Sequence, residues 1–369
     1  MKKILIVGCG LTGATIARIL AENGYTDITI MEKRNHIAGN CYDYIDEKTN
    51  IRVNKYGAHI FHTNDSEVFD FTARFTDWIP YFHKVKAKCN DIYVPIPVNI
   101  DTVNNIFNIN INTEEEMLTW MKSQQVMYEH IKNSEEMAKS RVGETLYNLL
   151  FKEYTKKQWN KYPEELDSSV LKRIPVRYDF NENYFSDIYQ CIPKNGYTAM
   201  VHNMINHPYI HIQLNCDFFN VINKNSYSTI FYTGPIDTYF HDIGLPSLEY
   251  RSINFIHEYV ENTYQPYAVV NYPSKDIPYT RSVEYKHFPN QSIDITNSIV
   301  VHEKTTDIGE PYYPVPNKRN MDLFEKYQEK ACNISNVIFI GRLASYKYIN
   351  MDQAIRYAMD EAFAFLEKN

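Results

Sequence analysis

The segment ILIVGCGLTG at residues 4–13 decides the fold of the first part of this chain. Its apolar half predicts a short buried strand, and Gly8, Gly10 and Gly13 follow in the spacing G-x-G-x-x-G. The first glycine permits a tight turn, the second lets the backbone approach a pyrophosphate, and the third lets the next helix pack closely on the strand. A helix that begins at this turn directs its N-terminal amides at phosphate groups.

Glu32 supports the interpretation of this segment as a dinucleotide site. It follows the apolar run Ile28–Met31, where the second strand of a βαβ unit should end. A carboxylate at this point accepts hydrogen bonds from an adenosine ribose and disfavours a 2′-phosphate. With Ala14–Leu20 predicted as the intervening helix, the sequence predicts a complete dinucleotide-binding unit.

Composition limits the remaining possibilities. A length of 369 residues predicts two or three domains. The net charge of −7 disfavours non-specific binding to nucleic acid or to anionic membranes. We therefore expect no nucleic-acid partner. No apolar run reaches the roughly 18 residues that span a bilayer, so we expect a cytoplasmic protein without membrane insertion. The six cysteines have no metal-binding spacing, and we expect no metal site.

Local patterns divide the chain further. Thr113 and Glu116 form a capping box that predicts a helix start. The alternating residues Tyr279 to His287 predict one face of a single strand. The prolines and basic residues near 163–177 suit an exposed, mobile segment. We therefore expect a discontinuous nucleotide-binding domain (1–75, 192–240 and 314–369), a helical domain (103–176) and an antiparallel sheet domain (76–102, 177–191 and 241–313).

More specific motifs occur in order along the chain. They are GAHIFHT (57–63), YTKKQW (154–159), KRIPVR (172–177), NYFSD (183–187), YTR (279–281), EPYYP (310–314) and GRL (341–343). On these motifs the chain resembles the bacterial UDP-galactopyranose mutases over essentially its whole length. The resemblance implies an α/β fold: a Rossmann-like FAD-binding domain with an inserted helical bundle and an antiparallel β-sheet domain.

The resemblance also implies an activity. Members of that family are flavin-dependent isomerases that interconvert UDP-galactopyranose and UDP-galactofuranose, through attack of N5 of reduced FAD on the anomeric carbon. They supply galactofuranose for cell-surface polysaccharides and are commonly homodimers, and NADPH or NADH can provide the reducing equivalents. A UDP-N-acetylgalactosamine substrate remains an alternative.

The family's catalytic roles fall on charged residues. Arg173 and Arg281 match the pair that binds the diphosphate, and arginine suits this task because its planar fork binds phosphate oxygens bidentately. His59 and His62 match the pair beside the flavin. No side chain needs to be the nucleophile, because the cofactor carries that chemistry.

The substrate-binding residues implied by the resemblance are mainly aromatic. Phe151, Tyr154, Thr155 and Trp159 match the uracil site, and Arg251 is a further candidate for the diphosphate. Tyr184, Tyr313 and Tyr348 match tyrosines near the sugar and phosphates, and the sequence leaves open whether Tyr312 or Tyr313 faces the site.

The expected cofactor residues come from both ends of the chain. A helix that starts near Met351 would stabilise negative charge on a reduced flavin. The full set is Gly8, Gly10, Leu11, Thr12, Gly13, Glu32, Lys33, Gly39, Asn40, His59, Ile60, Gly341, Arg342, Asn350 and Met351.

Three departures from the family pattern limit what the resemblance implies, above all for the sugar end of the site. Ala38 stands where glycine is common, Asn350 stands where an acidic residue is common, and the loop at residues 92–98 has diverged.

A flavin oxidoreductase of the amine-oxidase or desaturase kind shares the N-terminal pattern and the discontinuous domain. That class needs an apolar substrate cavity and gives no reason for two arginines matched to a diphosphate. A nucleotide-binding protein without catalysis is the third alternative.

Overall fold

The computed structural model describes residues 2–172, 175–221, 226–292 and 296–368. The strands are β1 (Ile4–Val7), β2 (Ile28–Met31), β3 (Asp43–Ile45), β4 (Arg52–Asn54), β5 (Phe61–Thr63), β6 (Trp78–Pro80), β7 (Val85–Cys89), β8 (Ile92–Ile96), β9 (Tyr189–Pro193), β10 (Ile210–Gln213), β11 (Thr229–Tyr232), β12 (Tyr250–Val260), β13 (Val269–Asn271), β14 (Arg281–Glu284), β15 (Ser298–Thr306), β16 (Tyr313–Pro314) and β17 (Val337–Phe339). The helices are α1 (Leu11–Glu22), α2 (Ser66–Ala73), α3 (Ile100–Phe107), α4 (Glu114–Gln124), α5 (Ser134–Leu146), α6 (Glu153–Trp159), α7 (Ser169–Lys172), α8 (Gly196–Ile205), α9 (Ile236–Tyr239), α10 (Lys318–Ala331) and α11 (Met351–Lys368).

A parallel sheet in the order β10-β2-β1-β11-β17 forms the nucleotide-binding part of the fold. Ile4 pairs with Ile28 on one side and with Thr229 on the other, and both pairings are parallel. Ile4, Leu5 and Ile6 are fully buried because elements pack on both faces of the sheet, as parallel sheets require. The carboxyl ends of the strands meet at one edge, where open α/β sheets bind ligands.

The helical insertion begins as the sequence predicts. Thr113 caps α4: the Glu116 amide donates to Thr113 Oγ1, and the Thr113 amide donates to Glu116 Oε2, both at 3.2 Å. Gly143, with φ of 77°, interrupts α5, and a π-helical stretch at residues 147–152 leads into α6. This chain path brings α6 against the neighbouring β-sheet.

The second large sheet has the order β16-β12-β15-β14-β13-β7-β8, which supports the predicted α/β fold class. It is antiparallel except where Val269 of β13 pairs parallel to Val85 of β7. The prediction of one strand over residues 279–287 is wrong, because β14 ends at Glu284 and Tyr285 begins a 3₁₀ turn. The Tyr285 ring is buried and its hydroxyl donates to Asn54 O at 3.1 Å, so the chain turns into the core.

The segment near 163–177 is packed along much of its described length. Leu166 and Val170 are buried with Trp159 and Val315, although polar neighbours in the segment remain exposed. Composition predicted an exposed segment, and these apolar side chains correct that description. Within the described ranges, no helix combines the length and the apolar character that a bilayer span requires.

Candidate functional site

A cavity of about 370 Å³ opens at the carboxyl edge of the parallel sheet. It runs from Glu32 at the end of β2 to Met351 at the start of α11. Most of the expected cofactor residues line it: Gly8, Gly10, Leu11, Thr12, Glu32, Lys33, Gly39, Asn40, His59, Gly341, Arg342, Asn350 and Met351.

Gly13 and Ile60 are not among the lining residues. A Cβ on Gly13 would lie 2.1 Å from Gly8 O, so this glycine permits close packing of α1 on the β1 turn. The Ile60 side chain is buried in the core beside the second sheet. The structure therefore gives both residues supporting positions.

The turn before α1 provides space for a diphosphate. Gly10 is the N-cap of α1 and has no side chain to accept from the first helical amides, so those donors suit phosphate oxygens. A Cβ on Gly39 would lie 3.0 Å from Gly10 Cα, which shows how closely the two backbones approach. Ala38 has φ of 70°, so this departure from the family pattern falls on a left-handed conformation that glycine adopts more easily.

Glu32 organises the other end of the cavity. Its carboxylate accepts from the Cys9 amide and from the Arg34 amide, both at 2.9 Å. Each carboxylate oxygen can accept a second hydrogen bond, so Glu32 suits the hydroxyls of a ribose.

Positive and neutral groups surround the end of the cavity near Met351. Burial lowers the pKa of His59 to about 4, so its ring is neutral at pH 7. His59 Nδ1 lies 2.7 Å from Gly57 O, which assigns the proton to Nδ1. The N-terminus of α11 and the Arg342 guanidinium favour negative charge nearby. The glycine cradle, the carboxylate and this positive end fit FAD.

Arg281 lies next to this end of the cavity and carries the charge expected for a diphosphate site. It stands opposite Glu303 across β14 and β15, and Nε lies 2.8 Å from Glu303 Oε2. Burial opposes its charge, but Glu303 and the phenols of Tyr154, Tyr313 and Tyr184 raise the pKa of Arg281 well above its usual value. Arg281 is therefore permanently cationic.

Aromatic side chains connect Arg281 with the cofactor cavity. Tyr313 stacks on Tyr348 with ring centroids 5.3 Å apart, and Trp159 lies 6.4 Å from Tyr313. The Arg342 guanidinium lies 5.2 Å from the Tyr348 ring. Burial raises the pKa of Tyr313, so its phenol is protonated at neutral pH and can donate.

The structure distinguishes Tyr312 from Tyr313. Tyr312 is buried against Tyr56 and Phe255, whereas Tyr313 lies among Trp159 and Tyr348. Tyr313 is therefore the member of the pair that faces the candidate site.

Two histidines lie beside the loop that carries Tyr184 and Phe185. His62 Nδ1 lies 2.9 Å from Asp187 Oδ2, and its ring stacks on Phe185 at 3.7 Å. Sequence reasoning missed His83, which follows no motif. Burial and the charge of Arg281 lower the pKa of His83 to about 3, and its carbonyl accepts from the Tyr184 amide at 2.7 Å.

Arg251 does not have the environment expected of a phosphate ligand. Nε donates to Gln158 O at 3.0 Å, NH2 donates to Lys157 O at 3.3 Å, and NH1 pairs with Asp307. The side chain is buried at the C-terminus of α6, where it satisfies carbonyls that have no partner in the helix. The structure thus assigns Arg251 a helix-capping role.

Several expected substrate residues occupy other environments. Phe151 and Thr155 are buried, with Phe151 in the core beside the helical insertion. Arg173 lies outside the described residues. Arg177, at the end of the same motif, donates to Asn183 O at 2.8 Å and to Phe185 O at 3.1 Å, and so supports the loop that carries Tyr184.

Comparison with known proteins first defines a class. Residues 6–75 match a model of the NAD(P)-binding Rossmann-like domain. The crystal structure of a reduced UDP-galactopyranose mutase superimposes with a TM-score of 0.79 at 17% identity, over 100% of this chain and 94% of that chain. The fold is that of flavin- and dinucleotide-binding proteins.

More similar sequences define the family. Residues 149–348 match the model of UDP-galactopyranose mutase. The chain is 38% identical to the dTDP-fucopyranose mutase of Escherichia coli, over 100% of both chains. It is also 38% identical to the Klebsiella pneumoniae protein named "Probable UDP-galactopyranose mutase", over 99% of this chain and 95% of that protein. The chain belongs to the UDP-galactopyranose mutase family, whose members are flavin-dependent mutases.

Proposed function

We propose that this protein interconverts UDP-galactopyranose and UDP-galactofuranose with reduced FAD. The observation that carries the proposal is Arg281, which is fixed by buried Glu303 and interacts electrostatically with the phenols of Tyr154, Tyr184 and Tyr313. A fixed guanidinium beside hydrogen-bonding phenols suits a sugar diphosphate. Family membership supports the same reaction.

The protein's own residues position the substrate and manage charge. Reduced FAD, when bound, supplies the nucleophilic N5 atom. Arg281 binds the diphosphate and stabilises the negative charge that develops as the sugar bond breaks. Arg173, proposed from its motif, is the second cation. Tyr154 stacks on the base, with Trp159 packed against the same site.

Other residues hold the sugar and the cofactor in place. The phenols of Tyr184, Tyr313 and Tyr348 bind sugar hydroxyls or phosphate oxygens. His59 is neutral and borders the cofactor cavity, so it can hydrogen-bond there without adding charge. Arg342 and the N-terminus of α11 favour the reduced, negatively charged flavin. His62 is held in place by Asp187 and lies near His83.

The character of this cluster argues against an amine oxidase or desaturase. Enzymes of that kind require an apolar substrate cavity. Here Arg281 and Arg342 are interspersed with tyrosines that can donate hydrogen bonds. Such a site favours an anionic, hydroxyl-rich ligand.

A dTDP-fucose substrate is a second candidate. It is favoured by the 38% identity to the dTDP-fucopyranose mutase, which extends over 100% of both chains. The two reactions share the diphosphate and the change of ring size, and they differ in the base, in the 2′-hydroxyl of the nucleoside and at sugar carbon 6. The same Arg281 and tyrosine cluster would serve either substrate.

The experiment that tests the assignment compares furanose nucleotides. We expect the reduced protein to convert UDP-galactofuranose to the pyranose with a higher kcat/KM than dTDP-fucofuranose or the N-acetylated UDP-sugar, measured by chromatography. A preference for dTDP-fucofuranose would transfer the assignment to the second candidate. Failure of all three substrates with verified reduced flavin would overturn the mutase proposal.

Family membership supports a proposal for the biological setting. We propose a cytoplasmic homodimer that takes electrons from NADPH or NADH and supplies galactofuranose for a cell-surface polysaccharide. Stopped-flow reduction by each nicotinamide tests the electron donor. Analytical ultracentrifugation of the flavin-loaded protein tests the dimer, and a monomeric mass would contradict it.

A further inference from the structure

A lysine ammonium is enclosed by backbone carbonyls where α6 meets the hairpin between β13 and β14. Lys157 Nζ donates to Ser274 O at 2.8 Å, to Ile277 O at 3.0 Å and to Tyr279 O at 3.1 Å. It also contacts Tyr272 O. An ammonium has only three hydrogens, so the carbonyls share them around one positive charge. The ammonium is thus coordinated by backbone carbonyls in the way that a bound monovalent cation is.

The two elements that Lys157 joins carry different parts of the candidate site. Tyr154, three residues before Lys157, belongs to α6. Arg281, two residues after Tyr279, begins β14. The ammonium therefore connects the element that carries the proposed base-stacking ring with the hairpin that leads to the proposed diphosphate ligand.

Both sides of this connection are held by other contacts. Lys157 O accepts from Arg251 and from Thr305, so α6 is fixed to β12 and β15. The hairpin is closed by a hydrogen bond of 2.8 Å from the Tyr272 amide to Thr280 O. Because α6 and β14 both contact β15, the ammonium adds a direct link between α6 and the hairpin that leads to Arg281.

We propose that Lys157 is a positioning residue that keeps Arg281 in register with Tyr154, so that one nucleoside diphosphate can span both. This inference rests on the proposed function, because it assumes that Tyr154 contacts the base and Arg281 the diphosphate. It extends that function by assigning a distance-setting role to a lysine that touches neither group of the ligand.

The test compares Lys157→Ala, Lys157→Met and the control Lys156→Met in the FAD-loaded protein. Lys156 Nζ donates to Asn160 O within its own segment, at 2.9 Å, and is a matched neighbour. We expect both Lys157 variants to bind UDP about tenfold more weakly, since carbonyls lose their charged partner. KM should rise in parallel while flavin occupancy stays at the wild-type level, and Lys156→Met should behave as wild type.

Ammonium chloride separates positioning from general damage. In Lys157→Ala the carbonyl ring has space for a free ammonium ion, so we expect added ammonium chloride to restore most of the UDP affinity. Sodium chloride at equal ionic strength should not restore it. In Lys157→Met the side chain fills the same space, and we expect no rescue.

Several results would overturn the inference. Unchanged UDP affinity and KM in Lys157→Ala would show that the ammonium does not set the site. Loss of flavin together with UDP binding in both variants, or equal responses to the two salts, would leave the lysine a purely structural role. A wild-type protein that fails to bind UDP would overturn the proposed function as well, which distinguishes the two failures.

Discussion

Arg281 and Glu303 show how one pair of side chains prepares an anion site. Glu303 is only 2% exposed, and it fixes the guanidinium from the neighbouring strand through Nε. Among the described residues, neither terminal nitrogen of Arg281 has a hydrogen-bond partner, so both remain for a phosphate group. A guanidinium fixed in advance does not have to reorganise as charge develops on the leaving group.

Replacement of Arg281 by lysine tests the guanidinium fork rather than the charge. We expect Arg281→Lys to lower kcat/KM about 100-fold, because an ammonium cannot bind two phosphate oxygens in the same geometry. Flavin absorbance should be unchanged. Arg319→Lys, at an arginine with 55% of its side chain exposed, is the control. Near-normal turnover in Arg281→Lys would remove the fork from the mechanism.

His83 predicts a measurable dependence of stability on pH. The pKa of His83 is about 3 in the folded protein, whereas an unfolded histidine titrates near 6.5. Below pH 6.5 the unfolded state therefore binds a proton that the folded state does not, and stability falls as pH falls toward 3. We expect this residue alone to cost about 2 kcal/mol of unfolding free energy between pH 7.5 and pH 5.

The measurement is urea unfolding of wild type and His83→Gln at both pH values. The glutamine variant should lose about 2 kcal/mol less than wild type on acidification. His59, with its pKa lowered to about 4, acts in the same direction in both proteins and does not affect the difference. Equal losses in the two proteins would contradict the assignment of a neutral buried His83.

The elements of the fold differ in how far the sequence predicts them. The β1 turn, α1 and β2 could be predicted because Gly8, Gly10 and Glu32 have fixed spacing in a local unit. The capping box at Thr113 is equally local. The end of the strand predicted over residues 279–287 could not be located from the sequence. Burial of the Tyr285 ring depends on tertiary packing, which the alternation of residues does not encode.

Residues with tertiary partners were the least predictable part of the site. Arg251 is an arginine, the residue type expected of a phosphate ligand. Its partners, however, are carbonyls at the end of α6, which is distant in sequence. Lys157 lies in the motif at residues 154–159, but its contacts with the β13–β14 hairpin gave no signal in the sequence. His83 lies in no motif, and its environment comes partly from Arg281. Single-sequence patterns do not show which distant backbone groups will converge.

Replacement of Arg251 distinguishes a role in capping α6 from a role in binding phosphate. We expect Arg251→Met to lower the free energy of unfolding by about 2 kcal/mol, because buried carbonyls lose their donors. Arg319→Met serves as the exposed control. The check is urea unfolding combined with substrate KM. An increased KM with unchanged stability would instead support a phosphate-binding role.

A side chain at Gly10 should exclude the cofactor without disturbing the protein. A Cβ there meets no heavy atom closer than Gly39 Cα at 3.9 Å, so the fold tolerates it. We expect Gly10→Leu to fold, as judged by circular dichroism, but to purify with less than about a tenth of the wild-type flavin, since the side chain occupies the phosphate approach. Normal flavin content would place the diphosphate elsewhere.

The complete chain assembles its cofactor cavity from distant segments. Residues near Gly8, Glu32, Gly39, Thr233 and Gly341 all line it. The protein carries a net charge of −7, yet Arg281 and Arg342 concentrate positive charge beside this cavity. An anionic substrate is therefore recognised by a local cluster rather than by the overall charge.

The central claim is catalysis by reduced flavin without net oxidation or reduction. The most direct measurement mixes the flavin-loaded protein with UDP-galactofuranose under anaerobic conditions, with and without dithionite, and separates the furanose and pyranose nucleotides by chromatography. We predict conversion after reduction only, with no net consumption of the reductant. Unchanged sugar nucleotide in both the oxidised and the verified reduced protein, or consumption of one reductant equivalent per turnover, would contradict the claim.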